Sequence, residues 1–225
     1  MIRPMGMLHL VRHGQASFGA ADYDQLSPLG HQQCQRLGAF WRARGQRFDA
    51  VFSGTLRRHA QSLAALAEGW GGALPAVSLR PGLDEYDSEA LIRAIHPEPL
   101  APVRDAAAAK AHFRLLRQGL LAWMRGETAP RGMPSHAQFL AGVAGVLDEV
   151  RALGGGEVLV LSSGGPISCA LAQVLQAPAE SAIELNLRLR NSALSELIFN
   201  AQRLSLHSFN GLPHLQDEPA LQSYA

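Results

Sequence analysis

The sequence predicts an α/β protein: a single three-layer α/β/α domain whose central sheet is mostly parallel, with an antiparallel C-terminal edge and a helical insertion. Three observations carry this. Short apolar runs ending in polar turns alternate with Ala- and Leu-rich helical stretches, the order of successive βαβ units. Val158-Leu159-Val160-Leu161 has no polar face, as a strand covered on both sides requires. Two late runs, 192–199 and 203–209, are separated only by Asn200-Ala201-Gln202, which reads as a hairpin and makes the closing edge antiparallel.

Taken in order, residues 7–11 form a short apolar run ending at Arg12, read as a buried strand. Ser27 is a good N-cap and Pro28 fits the first position of a helix that runs to about Arg44 and stops at Gly45. Residues 48–53 read as a strand, 55–68 as a helix and 76–79 as a third strand. The stretch from about 88 to 131 is Ala-rich, broken by Pro97, Pro99 and Pro102, and richer in basic than in acidic residues. It reads as a helical insertion over the sheet, its charge serving either an anionic ligand or a solvated face. Ser135 caps a helix to about Leu153, residues 157–162 form the strongest strand, and Gly164-Gly165-Pro166 turns into a helix to about Gln176. The tail from Gly211 has two prolines and little periodicity, so little fixed structure is expected there.

Composition narrows the function classes. With 225 residues, 47% hydrophobic and 17% charged, the chain has the balance of one globular domain, residues 1–225. A net charge of +1 gives no bulk electrostatic reason to bind nucleic acid. Residues 7–11 are too short for a signal-peptide core or a membrane span, so a cytoplasmic protein without a membrane partner is expected. Cys34 and Cys169 lie in helical segments with no CxxC or Cys/His cluster. They read as small buried residues, and a metal site is not expected.

In open α/β sheets ligands bind beyond the carboxyl ends of the strands. The residues found there are Arg12-His13-Gly14, the segments 53–58 and 83–87, and Ser162-Ser163-Gly164-Gly165-Pro166. A neutral imidazole is a nucleophile toward phosphorus. A neighbouring guanidinium grips phosphate oxygens and disfavours protonation of the histidine. Gly14 lets backbone come close to a ligand. A helix N-terminus at residues 163–166 offers N–H groups and a dipole to an anion.

Arg12-His13-Gly14, the entry Leu26-Ser27-Pro28-Leu29-Gly30, the run Ser53-Gly54-Thr55-Leu56-Arg57-Arg58-His59-Ala60-Gln61-Ser62, Leu83-Asp84-Glu85 and Asn191-Ser192 occur in one order. Together they resemble the histidine phosphatase superfamily (phosphoglycerate mutase-like) over roughly residues 7–210. The resemblance implies a metal-independent phosphatase that hydrolyses a phosphate monoester, on a small molecule or a phosphoprotein, through a phosphohistidine at His13. It implies no cofactor. Glu85 would be the general acid, with Asp84 and Asp87 as competitors. Arg12 and Arg58 would bind phosphate, whereas Arg57 reads as an exposed helix arginine. Ser163 departs from the pattern: it stands where the family usually carries a second histidine. Ser163 and Gly164 would then contact the phosphoryl group, and His59, His96 and His136 are candidate substitutes, each otherwise a surface or capping residue. A phospholigand-binding protein with weak catalysis is therefore the alternative function. A mutase ranks third, because Asp22 and Asp24 and the lack of Lys or Arg in residues 15–25 make a poor seat for a second phosphate. Specificity is expected in the insertion and in residues 17–24, where Phe18, Tyr23 and Tyr86 either stack on the leaving group or pack on the insertion. A homodimer is compatible with all of this.

Overall fold

The computed structural model describes residues 5–17, 24–98 and 106–224. Phe18, Asp22 and Tyr23 lie outside them. A six-stranded sheet runs in the order β3-β2-β4-β1-β5-β6, formed by β1 (Gly6–Arg12), β2 (Ala50–Ser53), β3 (Val77–Leu79), β4 (Gly156–Ser162), β5 (Leu194–Phe199) and β6 (Leu204–Gly211). The first four strands are mutually parallel, and the β5–β6 hairpin closes the sheet antiparallel to β1. Helices cover both faces, as the alternation of strands and helices requires. Val11, Val51, Leu159 and Leu161 point toward Leu37 and Trp41 of α1 (Pro28–Ala43) and Leu63 and Leu66 of α2 (Arg57–Trp70). Their neighbours Leu8, Leu10, Val158 and Val160 face α5 (His136–Ala152) and α6 (Gly164–Val174). This period of two is what a pleated strand imposes.

Local signals set the helix ends. The Ser27 hydroxyl accepts from the Gly30 amide, and Gly45 leaves α1 at a φ of +64°. Ser135 and Gln138 form a reciprocal capping box on α5. Each such cap contributes about 1 kcal/mol.

The insertion holds α3 (Ser88–Ile95) and α4 (Ala106–Met124). It carries a core of its own beside that of the sheet. Leu91, Ile92, Leu116, Leu120 and Trp123 form a separate core with Ile183, and no strand residue joins it. The insertion packs with Phe139 of α5 and with Ile183 of α7 (Ser181–Arg188), a helix whose few apolar residues left no legible period. The tail is a correction. Leu212 and Leu215 are buried, and the Gln33 amide donates to Leu221 O at 2.7 Å and to Ser223 Oγ at 2.9 Å. Short 3-10 turns at Pro213–Leu215 and Pro219–Leu221 carry no periodicity, yet side-chain bonds fix them. Cys34 and Cys169 are free and buried. Among the described residues no helix is long and apolar enough to cross a membrane.

Candidate active site

The parallel strands β1, β2 and β4 end side by side, and the residues that follow them converge. His13 leaves β1 with its amide on Ser162 O at 2.9 Å, and its carbonyl accepts from Ser192 N at 3.1 Å. Ser192 sits at a φ of +56°, a left-handed turn that aims this N–H back at β1. Gly14 passes α1 so closely that a Cβ there would lie 2.3 Å from Gly30 O. The Ser62 hydroxyl accepts from the Gly14 amide and donates to Arg58 O, and Gln61 accepts from the Leu26 amide. Thus Gln61 and Ser62 clamp the loops and leave the chemistry to their neighbours.

His13 is 2% exposed. Its Nδ1 lies 2.6 Å from Gly14 O. A carbonyl can only accept, so Nδ1 carries the proton and Nε2 holds a free lone pair. The Arg58 Nε–H donates to that Nε2 at 3.3 Å. Burial, then the charges of Arg12 and Arg58, hold the His13 pKa well below its ordinary 6.5. The imidazole is neutral and nucleophilic across the physiological range.

Arg12 and Arg58 are both buried. Arg12 donates to Leu189 O, and a Cβ on Gly164 would lie 3.7 Å from Arg12 Nε, which places the start of α6 beside this guanidinium. Arg58 Nη1 meets Asp24 Oδ1 at 2.8 Å, while the other oxygen of Asp24 accepts from the Arg57 amide and caps α2. Arg57 itself is exposed.

Of the three carboxylates considered as acid, Glu85 is the one bonded to the start of α6 within the fields of Arg12 and Arg58. Asp84 accepts from the amide of Thr55 and its hydroxyl, and Asp87 caps α3. Both Glu85 oxygens accept from the Gly165 amide at 3.1 Å. Desolvation raises the Glu85 pKa above its ordinary 4.5, against the opposing pull of Gly165 and the two arginines. A Cβ on Gly165 would lie 2.1 Å from Glu85 Oε1, so the glycine is what admits the carboxyl. Gly164-Gly165-Pro166 is already the first turn of α6, not a turn before it. Tyr86 packs edge-on against Trp123 with its hydroxyl accepting from Asn186 at 2.6 Å, so it belongs to the insertion's packing.

Ser163 and His59 are both fully buried, and His59 Nε2 lies 2.8 Å from Ser163 Oγ. The rings of His59 and His13 are 5.8 Å apart. His59 is therefore a pocket residue, not a surface or capping one. Its place in the motif beside Arg58 was visible, but which face of α2 it takes was not. His96 ends α3 and pairs with Glu98, and His136 opens α5 against Trp123.

The family model for the histidine phosphatase superfamily (branch 1) matches residues 8–211. No curated protein matches the sequence significantly. Among solved structures, the α-ribazole phosphatase of Shigella flexneri superposes with a TM-score of 0.63 at 19% identity, covering 92% of this chain and 96% of the other. Phosphoglycerate mutase from Bacillus anthracis gives 0.62 at 16%, covering 95% and 96%. Phosphoserine phosphatase from Entamoeba histolytica, an H9A mutant in complex with phosphoserine, gives 0.60 at 20%, covering 93% and 99%. At these identities the likeness establishes the fold.

Proposed function

Because the chain belongs to the histidine phosphatase superfamily, branch 1, we propose that it is a phosphatase that hydrolyses a small phosphate monoester through a phosphohistidine at His13. The observation that carries this is the Gly14 carbonyl on His13 Nδ1, which leaves the Nε2 lone pair aimed at the Arg58 guanidinium. In the first step Nε2 attacks phosphorus in line, a P–N bond forms and the P–O bond to the leaving group breaks. Glu85 gives its proton to the leaving oxygen. Arg12 and Arg58 neutralise the phosphoryl oxygens as charge redistributes. In the second step Glu85, now ionised, takes a proton from water, whose oxygen attacks phosphorus and releases His13 and inorganic phosphate. The arginines supply the positive charge, so no metal is required.

Asp24 argues against a mutase. Its carboxylate occupies the outer flank of Arg58, where a second phosphate of a bisphosphorylated substrate would meet like charge. Phosphoserine, the ligand of one structural neighbour, exemplifies the substrate class. The test is hydrolysis of p-nitrophenyl phosphate in the presence of chelator by the parent, His13→Ala and Ser163→His. Activity that disappears in His13→Ala is the expected result. An inactive parent with an active Ser163→His would instead identify a phospholigand-binding protein.

A further inference from the structure

We propose that Ser163 and His59 act as one unit in which the Ser163 hydroxyl donates a hydrogen bond to the phosphoryl group under transfer, and His59 holds that hydroxyl in place. The inference rests on the phosphatase reading above and deepens it. It makes Ser163 a working donor and not the trace of a lost one.

The geometry is specific. A single guanidinium touches both ends of the proposed transfer: Arg58 Nε reaches His13 Nε2 at 3.3 Å, and Arg58 Nη2 reaches Ser163 Oγ at 3.4 Å. A phosphoryl group bonded to Nε2 and paired with Arg58 therefore lies within reach of the hydroxyl. Ser163 stands at the N-cap of α6 with extended backbone, but its side chain makes no capping bond to the helix. The hydroxyl is turned instead to His59 Nε2 at 2.8 Å. A hydroxyl has one proton to give and two lone pairs to fill. In the proposed arrangement the His59 proton is on Nε2, so that His59 and Arg58 Nη2–H fill the two lone pairs of the hydroxyl and its proton is left for a phosphoryl oxygen.

The rest of the pocket is built around that imidazole. His59 is fully buried in α2, and Gly54 makes room for it: a Cβ there would lie 2.3 Å from His59 Nδ1 and 2.5 Å from Asp84 Oδ1. Asp84, fixed by Thr55, stands 3.7 Å from Nδ1. Burial and then Arg58 lower the His59 pKa to about 3, so the ring serves as a neutral partner. Leaving the Ser163 proton without an acceptor in a fully buried site would be costly. Donation to substrate gives the Ser163–His59 pair a reason to persist.

The pair is also incompatible with a simple return to histidine. An imidazole at position 163 would project into the space that His59 fills, and both positions are without solvent access. Ser163→His in the otherwise native chain should thus lower activity, the opposite of what a decayed site predicts.

The experiment is stopped-flow release of p-nitrophenolate from p-nitrophenyl phosphate, which reads phosphoryl transfer to His13 in the first turnover. The full chain is compared with Ser163→Ala, Ser163→Thr, His59→Ala, His59→Gln and the double variant Ser163→Ala/His59→Ala. Loss of one preorganised donor should slow the burst on the order of a hundred- to a thousandfold in Ser163→Ala, with a smaller change in KM. Ser163→Thr should recover part of the rate. His59→Ala should slow the burst about tenfold, His59→Gln should restore part of that, and His59→Ala should add little once Ser163 is Ala, as coupled residues behave. A burst at the parental rate in Ser163→Ala overturns the proposal while leaving the phosphatase reading intact, and so does an undiminished His59→Ala effect in the Ser163→Ala background. Ser163→Ala removes one oxygen only, so the first criterion stands even where His59→Ala unfolds the chain. A parent without any burst or phosphohistidine overturns both.

Discussion

Glu85→Gln separates proton donation from mere occupancy of the pocket. The amide keeps an oxygen that can accept from Gly165 N–H, where both carboxylate oxygens now lie at 3.1 Å, so the side chain should stay in position. What it loses is the proton. General acid catalysis contributes about a hundred- to ten-thousandfold, or about 3 to 5 kcal/mol of barrier at about 1.4 kcal/mol per tenfold. That loss should appear in full for an alkyl phosphate such as phosphoserine, whose leaving alkoxide is strongly basic. It should nearly vanish in the first step with p-nitrophenyl phosphate, because the phenolate departs unprotonated. Hydrolysis of the phosphohistidine still needs Glu85 as base. The variant should therefore release about one equivalent of p-nitrophenolate quickly and then turn over slowly, with phosphohistidine accumulating. Stopped-flow absorbance and acid-sensitive, base-stable phosphate labelling read the two steps. Equal losses on the two substrates in the first step would refute the assignment of Glu85 as proton donor.

Three further outcomes follow from the same geometry. The kcat/KM profile should be bell-shaped. Its acid limb reports His13, whose pKa lies below 6.5, and its alkaline limb reports Glu85, whose pKa lies above 4.5, so Glu85→Gln should flatten the alkaline limb for alkyl substrates. Stability should fall as pH drops from about 7 to 5. Burial holds His59 near pKa 3 and His214 near 4, so the unfolded chain binds more protons than the folded one throughout that window. Each should contribute roughly 2 kcal/mol of the loss by pH 5, and urea midpoints should show a shallower slope in His214→Asn. Gly165→Ala should displace Glu85 and Tyr86, because a Cβ would stand 2.1 Å and 2.5 Å from their side chains. It should slow transfer from an alkyl phosphate by at least as much as Glu85→Gln, measured beside a melting curve, and an unchanged rate would mean the carboxyl is not held as described.

What was legible in the sequence follows from the range of the forces involved. Val158–Leu161, Ser27-Pro28 and Ser135 act through nearest neighbours and period, so their strand and helix ends could be read directly. Arg12 and His13 were legible because they stand at the C-terminal end of a parallel strand, where the fold class puts a ligand, whereas Arg58 was legible only through the resemblance of the run 53–62 to the histidine phosphatase motif. The 3-10 tail was missed because its order comes from Gln33, a residue nearly two hundred positions away. The insertion's own core with Ile183 was not legible because nothing local to residues 88–131 points to a helix some sixty positions further on. His59 belongs to the same class. It adjoins Arg58 in α2, and neighbours in a helix point about 100° apart. Only the register of α2 against β4 decides that both reach the pocket, one to His13 and one to Ser163. Read along the chain, Ser163 is a missing histidine; read across the sheet, a histidine stands one side chain behind it. On the proposal above the two make a single arrangement, in which the donor to the phosphoryl group is the Ser163 hydroxyl and the His59 imidazole, 2.8 Å away, is what aims it.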